Sequence, residues 1–84
     1  MDNVIRKDIL LGLQKLEMNY QTDYSEERIS AMADMWLNFF KNEKAEWFYE
    51  AIDNCIANLT LYKRLPTVSE LRSFFDPYRR IAKE

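Results

Sequence analysis

The sequence predicts an all-α fold, a single compact domain built as a bundle of four to five short helices. One Gly and two Pro among 84 residues leave little material for hairpin turns, and no segment keeps the strict alternation of a half-buried strand. Apolar residues instead recur at steps of three and four, which is the period of an amphipathic helix. Because a chain of this length supports one core, we expect one domain over residues 1–84.

The first helix is predicted over residues 4–19. Gly12 lies near the edge of its apolar face, where the missing side chain permits close approach of another helix. The main apolar face comprises Ile5, Ile9, Leu13, Leu16 and Tyr20. A second stripe comprises Val4, Leu11 and Met18. We expect this second stripe either to be buried at the centre of the bundle or to be offered to a partner.

The second helix is predicted over residues 26–41. Ser25 is a suitable N-cap, and Glu26 and Glu27 follow in the first turn, where the helix dipole favours negative charge. Its core face is predicted to comprise Ile29, Met32, Ala33, Trp36, Phe39 and Phe40.

The third helix is predicted over residues 43–62, with Asn42 as its cap. Its apolar side comprises Phe48, Ala51, Ile52, Cys55, Ile56 and Leu59. Its opposite side is an acidic row, Glu43, Glu46, Glu50 and Asp53. Carboxylates on one straight helix cannot encircle a cation, so we interpret the row as a solvated face, with an electrostatic docking face as the alternative.

A fourth helix is predicted over residues 68–76. Pro66 ends the preceding segment, and Thr67 with Glu70 forms a T-x-x-E capping box. Its apolar face comprises Leu71, Phe74, Phe75 and Tyr78. Asp76 and Pro77 suit a cap followed by a first helical position, so a kink or a restart there gives a short last helix over residues 77–83.

The composition argues against an enzyme and against any cofactor or metal. The sequence contains no His, which is the commonest general base and metal ligand, and a single Gly excludes glycine-rich phosphate loops. Cys55 lies at core spacing with no His to activate it, so we interpret it as a structural residue. One Cys excludes an internal disulfide, and no apolar run is long enough for a membrane span.

The last quarter of the chain is basic. Residues 1–60 carry 6 Lys/Arg against 11 Asp/Glu, a net charge of −5, whereas residues 61–84 carry 6 against 3, a net charge of +3. These cations are solvated or paired within the chain, or they bind a protein, or they meet nucleic-acid phosphates. Trp47 lies at the margin of its helix's apolar face, which favours partial exposure. The candidate partner-binding residues are Lys63, Arg64, Arg72, Arg79, Arg80 and Trp47.

Three segments taken in order, MADMWLNFF, EWFYEAIDNCIANL and RLPTVSELRSFF, resemble the folded domain of phage helicase loader/inhibitor proteins. The matching positions are Trp36, Phe48 with Ala51, and the run Pro66, Thr67, Val68 and Leu71. The resemblance implies a non-enzymatic replication accessory in the bacterial host cytoplasm. Its implied partners are a DnaB-type replicative helicase or an origin-binding initiator. Proteins of this family usually continue into a polar tail implicated in gripping the helicase.

Two alternatives remain open on the sequence. The first is a small DNA-binding module in which the helix begun at Thr67, or its neighbour, meets the phosphate backbone through Arg72, Arg79 and Arg80. The second is a phage inhibitor of a host enzyme that presents the acidic row to a basic groove.

Overall fold

The computed structural model describes residues 2–75, which form four α-helices joined by short connections. They are α1 (Arg6–Tyr20), α2 (Glu26–Phe40), α3 (Ala45–Asn58) and α4 (Val68–Arg72). α1 packs against both α2 and α3, and α4 packs against α3. The described residues contain no β-strand, only an isolated antiparallel bridge between Asn3 and Lys44. The all-α prediction is confirmed, and the predicted helix over residues 77–83 lies outside the described residues.

All four helices contribute to one hydrophobic core. Its buried members include Ile9, Leu13, Leu16 and Tyr20 from α1, Ala33, Trp36 and Phe40 from α2, Phe48, Ala51, Ile52 and Cys55 from α3, and Leu71 from α4. Gly12 also faces this core. A Cβ placed on Gly12 would lie 2.8 Å from Cε2 of Phe48 and 3.2 Å from Cδ1 of Ile52. The close approach predicted at Gly12 is therefore present, and its partner is α3.

The start of α1 differs from the sequence prediction. The helix begins at Arg6 instead of residue 4, because the Asp8 carboxylate accepts a hydrogen bond from the Ile5 amide and makes Ile5 the N-cap. Ile5 was expected in the core but is 56% exposed. Val4 is buried although it precedes the helix.

The predicted second stripe of α1 does not form one buried surface. Leu11 and Met18 are both exposed, Met18 to 79%. The prediction that they are buried at the centre of the bundle is therefore wrong, since α2 and α3 both pack on other faces of α1.

The start of α3 was also predicted at the wrong residue. The helix begins at Ala45, and its N-cap is Lys44, whose side chain makes no capping hydrogen bond, so Asn42 is not the cap. The extended N-terminal segment supplies the missing partner: the Ala45 amide donates to the Asp2 carbonyl at 2.9 Å. The Val4 amide in turn donates to the Glu43 carbonyl at 2.9 Å.

The end of α3 lies four residues before the predicted end. The last helical residue is Asn58, and Leu59 is extended, because Asn58 and Thr60 are weak helix formers and a tertiary contact holds the exit. The Tyr20 hydroxyl lies 2.6 Å from the Leu59 carbonyl and donates to it. Lys63 then takes a positive φ of 51°, which turns the chain toward α4.

The caps of α2 and α4 were predicted correctly. The Arg28 amide donates to Oγ of Ser25 at 3.2 Å. The Glu70 amide donates to Oγ1 of Thr67, and the Thr67 amide donates to the Glu70 carboxylate, which completes the capping box. The C-terminal ends of both helices were predicted too late. α2 ends at Phe40 instead of residue 41, and α4 ends at Arg72 instead of residue 76.

A tight turn after α4 closes the core. The amides of Phe74 and Phe75 donate to the carbonyls of Leu71 and Arg72, three residues back. This turn places the Phe75 ring parallel to the ring of Phe40, with a centroid separation of 5.5 Å and an interplanar angle of 6°. The predicted role of Leu71 and Phe75 in the core is therefore confirmed.

Candidate protein-binding surface

Arg64 is held by the helix that follows it. Its guanidinium makes two hydrogen bonds to the Glu70 carboxylate, Nη1 to Oε1 at 2.8 Å and Nη2 to Oε2 at 3.0 Å. The pKa of Glu70 is lowered to about 2. The largest cause is the hydrogen bond from Arg64, and the next is the hydrogen bond from the Thr67 amide. Arg64 thus pairs with the carboxylate that caps α4.

Arg72 is bound to the end of α2. Nη2 of Arg72 donates to the Phe39 carbonyl at 2.6 Å, and Nη1 lies 3.4 Å from the Glu43 carboxylate. Its guanidinium carbon lies 5.2 Å from the centroid of the Phe40 ring. A cation suits this position because the carbonyls at a helix C-terminus carry partial negative charge.

The other candidate residues occupy separate places. Lys63 is exposed, with Nζ 5.6 Å from the centroid of the Tyr62 ring. Trp47 is half-buried against the core. Arg79 and Arg80 lie outside the described residues. The binding of a partner by these six residues stays a prediction, although Arg64 and Arg72 already have partners within the chain.

The structure adds a groove between α2 and the segment Leu65–Ser69. This groove has a volume of about 500 Å³. Its floor is formed by the buried side chains of Trp36, Leu65 and Pro66. Met32 and Val68 form half-buried walls. An apolar floor with open sides is typical of surfaces that bind another protein.

The rim of the groove carries large apolar side chains in contact with solvent. Met35 is 48% exposed and Phe39 is 53% exposed. Phe39 was predicted to be a core residue, and this is wrong, because the core side of α2 is already occupied by Trp36 and Phe40. The spacing of Met32, Met35 and Phe39, at steps of three and four, was the available signal for a second apolar face.

One end of the groove is formed by Tyr24 and Arg28. The guanidinium carbon of Arg28 lies 4.0 Å from the centroid of the Tyr24 ring. The Leu65 amide lies 3.3 Å from the Tyr24 hydroxyl and donates to it. Tyr24 therefore joins the start of α2 to the segment on the other side of the groove.

A second hollow lies between α1 and the start of α2, with a volume of about 510 Å³. Two of the charged side chains that line it, Arg6 and Glu17, are already bonded within the chain. Arg6 donates to Asp34 at 2.8 Å and to the Ser30 hydroxyl at 2.7 Å. The Glu17 carboxylate accepts from the Thr22 hydroxyl and the Tyr24 amide. These contacts stabilise the packing of α1 on α2, so this hollow is the weaker candidate for a binding site.

The acidic row is not one continuous face of α3. Glu43 precedes the helix and lies near Arg72, and Asp53 accepts a hydrogen bond from Lys15 of α1. Glu46 and Glu50 are exposed. Within residues 2–75 no group of three acidic or Cys side chains is placed to hold a metal ion.

Cys55 lies in the core, as its spacing predicted. Burial raises the pKa of its thiol, and the Tyr20 hydroxyl lies 3.6 Å from its sulfur. Burial and a raised pKa both disfavour the thiolate that nucleophilic chemistry needs.

No helix within residues 2–75 combines the length and the apolar character that crossing a membrane requires. Comparison of the chain with protein-family models, with curated proteins and with solved structures gave no match.

Proposed function

We propose that this chain is a non-enzymatic accessory of phage or prophage DNA replication that binds a protein partner. The resemblance of its three helical segments to helicase loader/inhibitor proteins indicates the class. Its partner is then a DnaB-type replicative helicase or an origin-binding initiator, in the cytoplasm of a bacterial host.

The observation that carries protein binding is the exposed apolar groove. Met35 and Phe39 each leave about half of their surface in water, although both lie beside a core that contains Trp36. Aromatic residues, Met and Arg are enriched at protein–protein interfaces. A partner that covered this rim would remove its apolar surface from water, which is favourable. The groove therefore supports binding through α2.

The DNA-binding alternative has less support. It rests on Arg72, Arg79 and Arg80; Arg72 is bonded to the Phe39 carbonyl, and the other two lie outside the described residues. The inhibitor alternative requires a continuous acidic face, but Glu43 lies outside α3 and Asp53 pairs with Lys15. Neither alternative is favoured by a specific contact.

The test is a pull-down of purified DnaB-type helicase, and separately of the initiator, by the immobilised chain. We expect one of them to be retained by the wild-type chain and lost with Phe39→Ser. Met18→Ser is the matched control, because Met18 is an exposed apolar residue on α1 that does not line the groove. Retention of neither protein contradicts the proposed function, whereas equal loss with both variants contradicts only the role of the groove.

A further inference from the structure

We propose that the groove between α2 and Leu65–Ser69 binds an amphipathic helix of the partner protein, with apolar side chains in the groove and a carboxylate on Arg28. This inference rests on the proposed function only in assuming that the partner is a protein. It does not depend on that partner being a helicase or an initiator.

The position of Arg28 gives the groove its charge preference. Among the described residues that line the groove, Arg28 is the only one with a charged side chain. It makes no ion pair within residues 2–75, in contrast to Arg6, Lys15, Arg64 and Arg72. Stacking on Tyr24 fixes the guanidinium, while its N–H groups keep their capacity for a carboxylate.

The carboxylates nearest to Arg28 in sequence do not neutralise the groove. Glu27 does not line it, and Glu26 lines the hollow between α1 and α2 instead. On the opposite side, Glu70 is occupied by Arg64 and by the Thr67 amide. The remaining polar rim consists of the neutral residues Thr67 and Ser69. A segment with an acidic residue is therefore the complementary occupant.

The backbone beside the groove favours a helix over an added β-strand. Adding a strand requires free amides on an exposed extended segment. On this segment the Leu65 amide donates to Tyr24, Pro66 has no amide hydrogen, and the Thr67 amide donates to Glu70. Recognition must therefore proceed through side chains, as when an amphipathic helix lies in a groove.

The length of the site fits a short helix. Arg28, Met32, Met35 and Phe39 span twelve residues of α2, and the eleven steps between the first and the last correspond to about 16 Å at 1.5 Å per residue. A partner helix of about three turns covers this length.

The chain's own residues 76–84 fit the charge of the groove less well. They contain three cations, Arg79, Arg80 and Lys83, against two carboxylates, Asp76 and Glu84. This composition is less complementary to Arg28 than that of an acidic segment, so the proposal commits to a helix from another protein.

The experiment uses the full chain labelled with ¹³C at its Met methyl groups. The probe is a designed amphipathic peptide of about 16 residues, long enough for a stable contact over this length, with Leu on one face and Glu beside it. The matched control peptide carries Gln in place of every Glu. Met32 and Met35 report on the groove, and Met18 on α1 reports on non-specific contact.

We expect saturable shifts of the Met32 and Met35 methyl signals with no shift of Met18. The Glu peptide should bind about tenfold more tightly than the Gln peptide at low salt, as a charge-assisted hydrogen bond provides. Arg28→Gln should abolish this difference, and Phe39→Ser should weaken binding of both peptides. The Arg28 and Phe39 side chains are exposed, so both variants should keep the fold, which the remaining Met signals verify.

Three results overturn the inference: no saturable shift up to about 1 mM peptide, equal affinity for the two peptides, or shifts that appear on concentrating the protein without peptide. The last result indicates a second copy of the chain as the occupant.

If the peptide results are as expected but no helicase or initiator is retained, the proposed partner is wrong and the groove assignment stands. If a helicase is retained equally by wild type, Arg28→Gln and Phe39→Ser, the groove assignment is wrong and the proposed function stands.

Discussion

Gly12 sets the distance between α1 and α3. The Phe48 ring packs where a Cβ would project, and Phe48 is completely buried, so the ring has little room to move. A residue that weakens an isolated helix is thus favoured here by its tertiary contact.

Gly12→Ala tests this conflict between local and tertiary effects. Helix propensity alone predicts a gain of about 1 kcal/mol, whereas overpacking a core costs about 1 to 3 kcal/mol. Because the nearest contact is 2.8 Å, we expect a net loss of about 1 kcal/mol in the free energy of unfolding, measured in urea. Asn19→Ala, on the exposed side of the same helix, is the control and should be neutral or slightly stabilising. A more stable Gly12→Ala protein would show that α3 yields to the added methyl group.

Arg64 and Arg72 show why charged residues are hard to assign from a sequence. Both belong to a basic segment, and both were candidates for partner binding. Their partners, Glu70 and the Phe39 carbonyl, are six and 33 residues away. Only the folded chain shows that these two cations stabilise the approach to α4 and the end of α2.

At the scale of elements, the N-terminal segment completes α3. The Asp2 carbonyl accepts the first amide of α3, and Val4 is buried beside it while Ile5 faces solvent. Sequence periodicity predicted both residues to lie on α1, with Ile5 on the main core face.

Alanine substitutions at Val4 and Ile5 distinguish the two placements. We expect Val4→Ala to lower the free energy of unfolding by about 2 kcal/mol, since two buried methyl groups are lost and a cavity remains. Ile5→Ala should change it by less than about 0.5 kcal/mol, as is usual at exposed sites. Urea unfolding of the two proteins side by side is the measurement. The reverse order would place Ile5 in the core.

The cap of α4 makes stability depend on pH. The pKa of Glu70 in the folded protein is about 2, below its ordinary value of 4.5, mainly because Arg64 and the Thr67 amide bind the carboxylate. A lowered folded pKa means that the unfolded chain takes up the proton first. The resulting stabilisation is therefore complete above about pH 4.5 and is lost as the pH falls toward 2.

Glu70→Gln should remove this part of the pH dependence. We expect the difference in stability between wild type and variant to be constant above pH 5 and to shrink between about pH 4.5 and 2. Thermal unfolding followed by circular dichroism across this range measures it. Glu46→Gln, at an exposed carboxylate on α3, is the control and should keep the wild-type profile. A constant difference down to pH 2 would contradict the role of Glu70.

In the whole molecule, the aromatic core joins elements that are far apart in the described chain. Phe40 contacts Trp36, Phe48 and Phe75, so the end of α2, the start of α3 and the turn after α4 meet at one ring. Elements that share one cluster are expected to unfold together.

Phe75→Ala tests that cooperativity. We expect a loss of about 3 kcal/mol or more in the free energy of unfolding, because a buried, stacked ring is removed. The transitions followed by circular dichroism and by Trp fluorescence should coincide in wild type and variant alike. Phe74→Ala, at a half-buried neighbour, should cost less. Separate transitions would show that α4 unfolds independently of the bundle.

The helices, two of the caps and most of the core follow from the amino-acid sequence alone. Periodicity placed Ile9, Leu13 and Leu16 on one face, and the caps at Ser25 and Thr67 follow from hydrogen bonds that span three residues. These features are local, so a single segment carries all the information that specifies them.

Which apolar side chains stay exposed depends instead on how the helices pack. Met35 and Phe39 lie on an apolar face of α2, but the space available for burial depends on where α1, α3 and the segment Leu65–Ser69 pack. The same holds for the ends of α3, which are set by Asp2 and Tyr20 from distant parts of the chain. Contacts between residues far apart in sequence leave no periodic signal, and the groove, the caps of α3 and the partners of Arg72 all depend on such contacts.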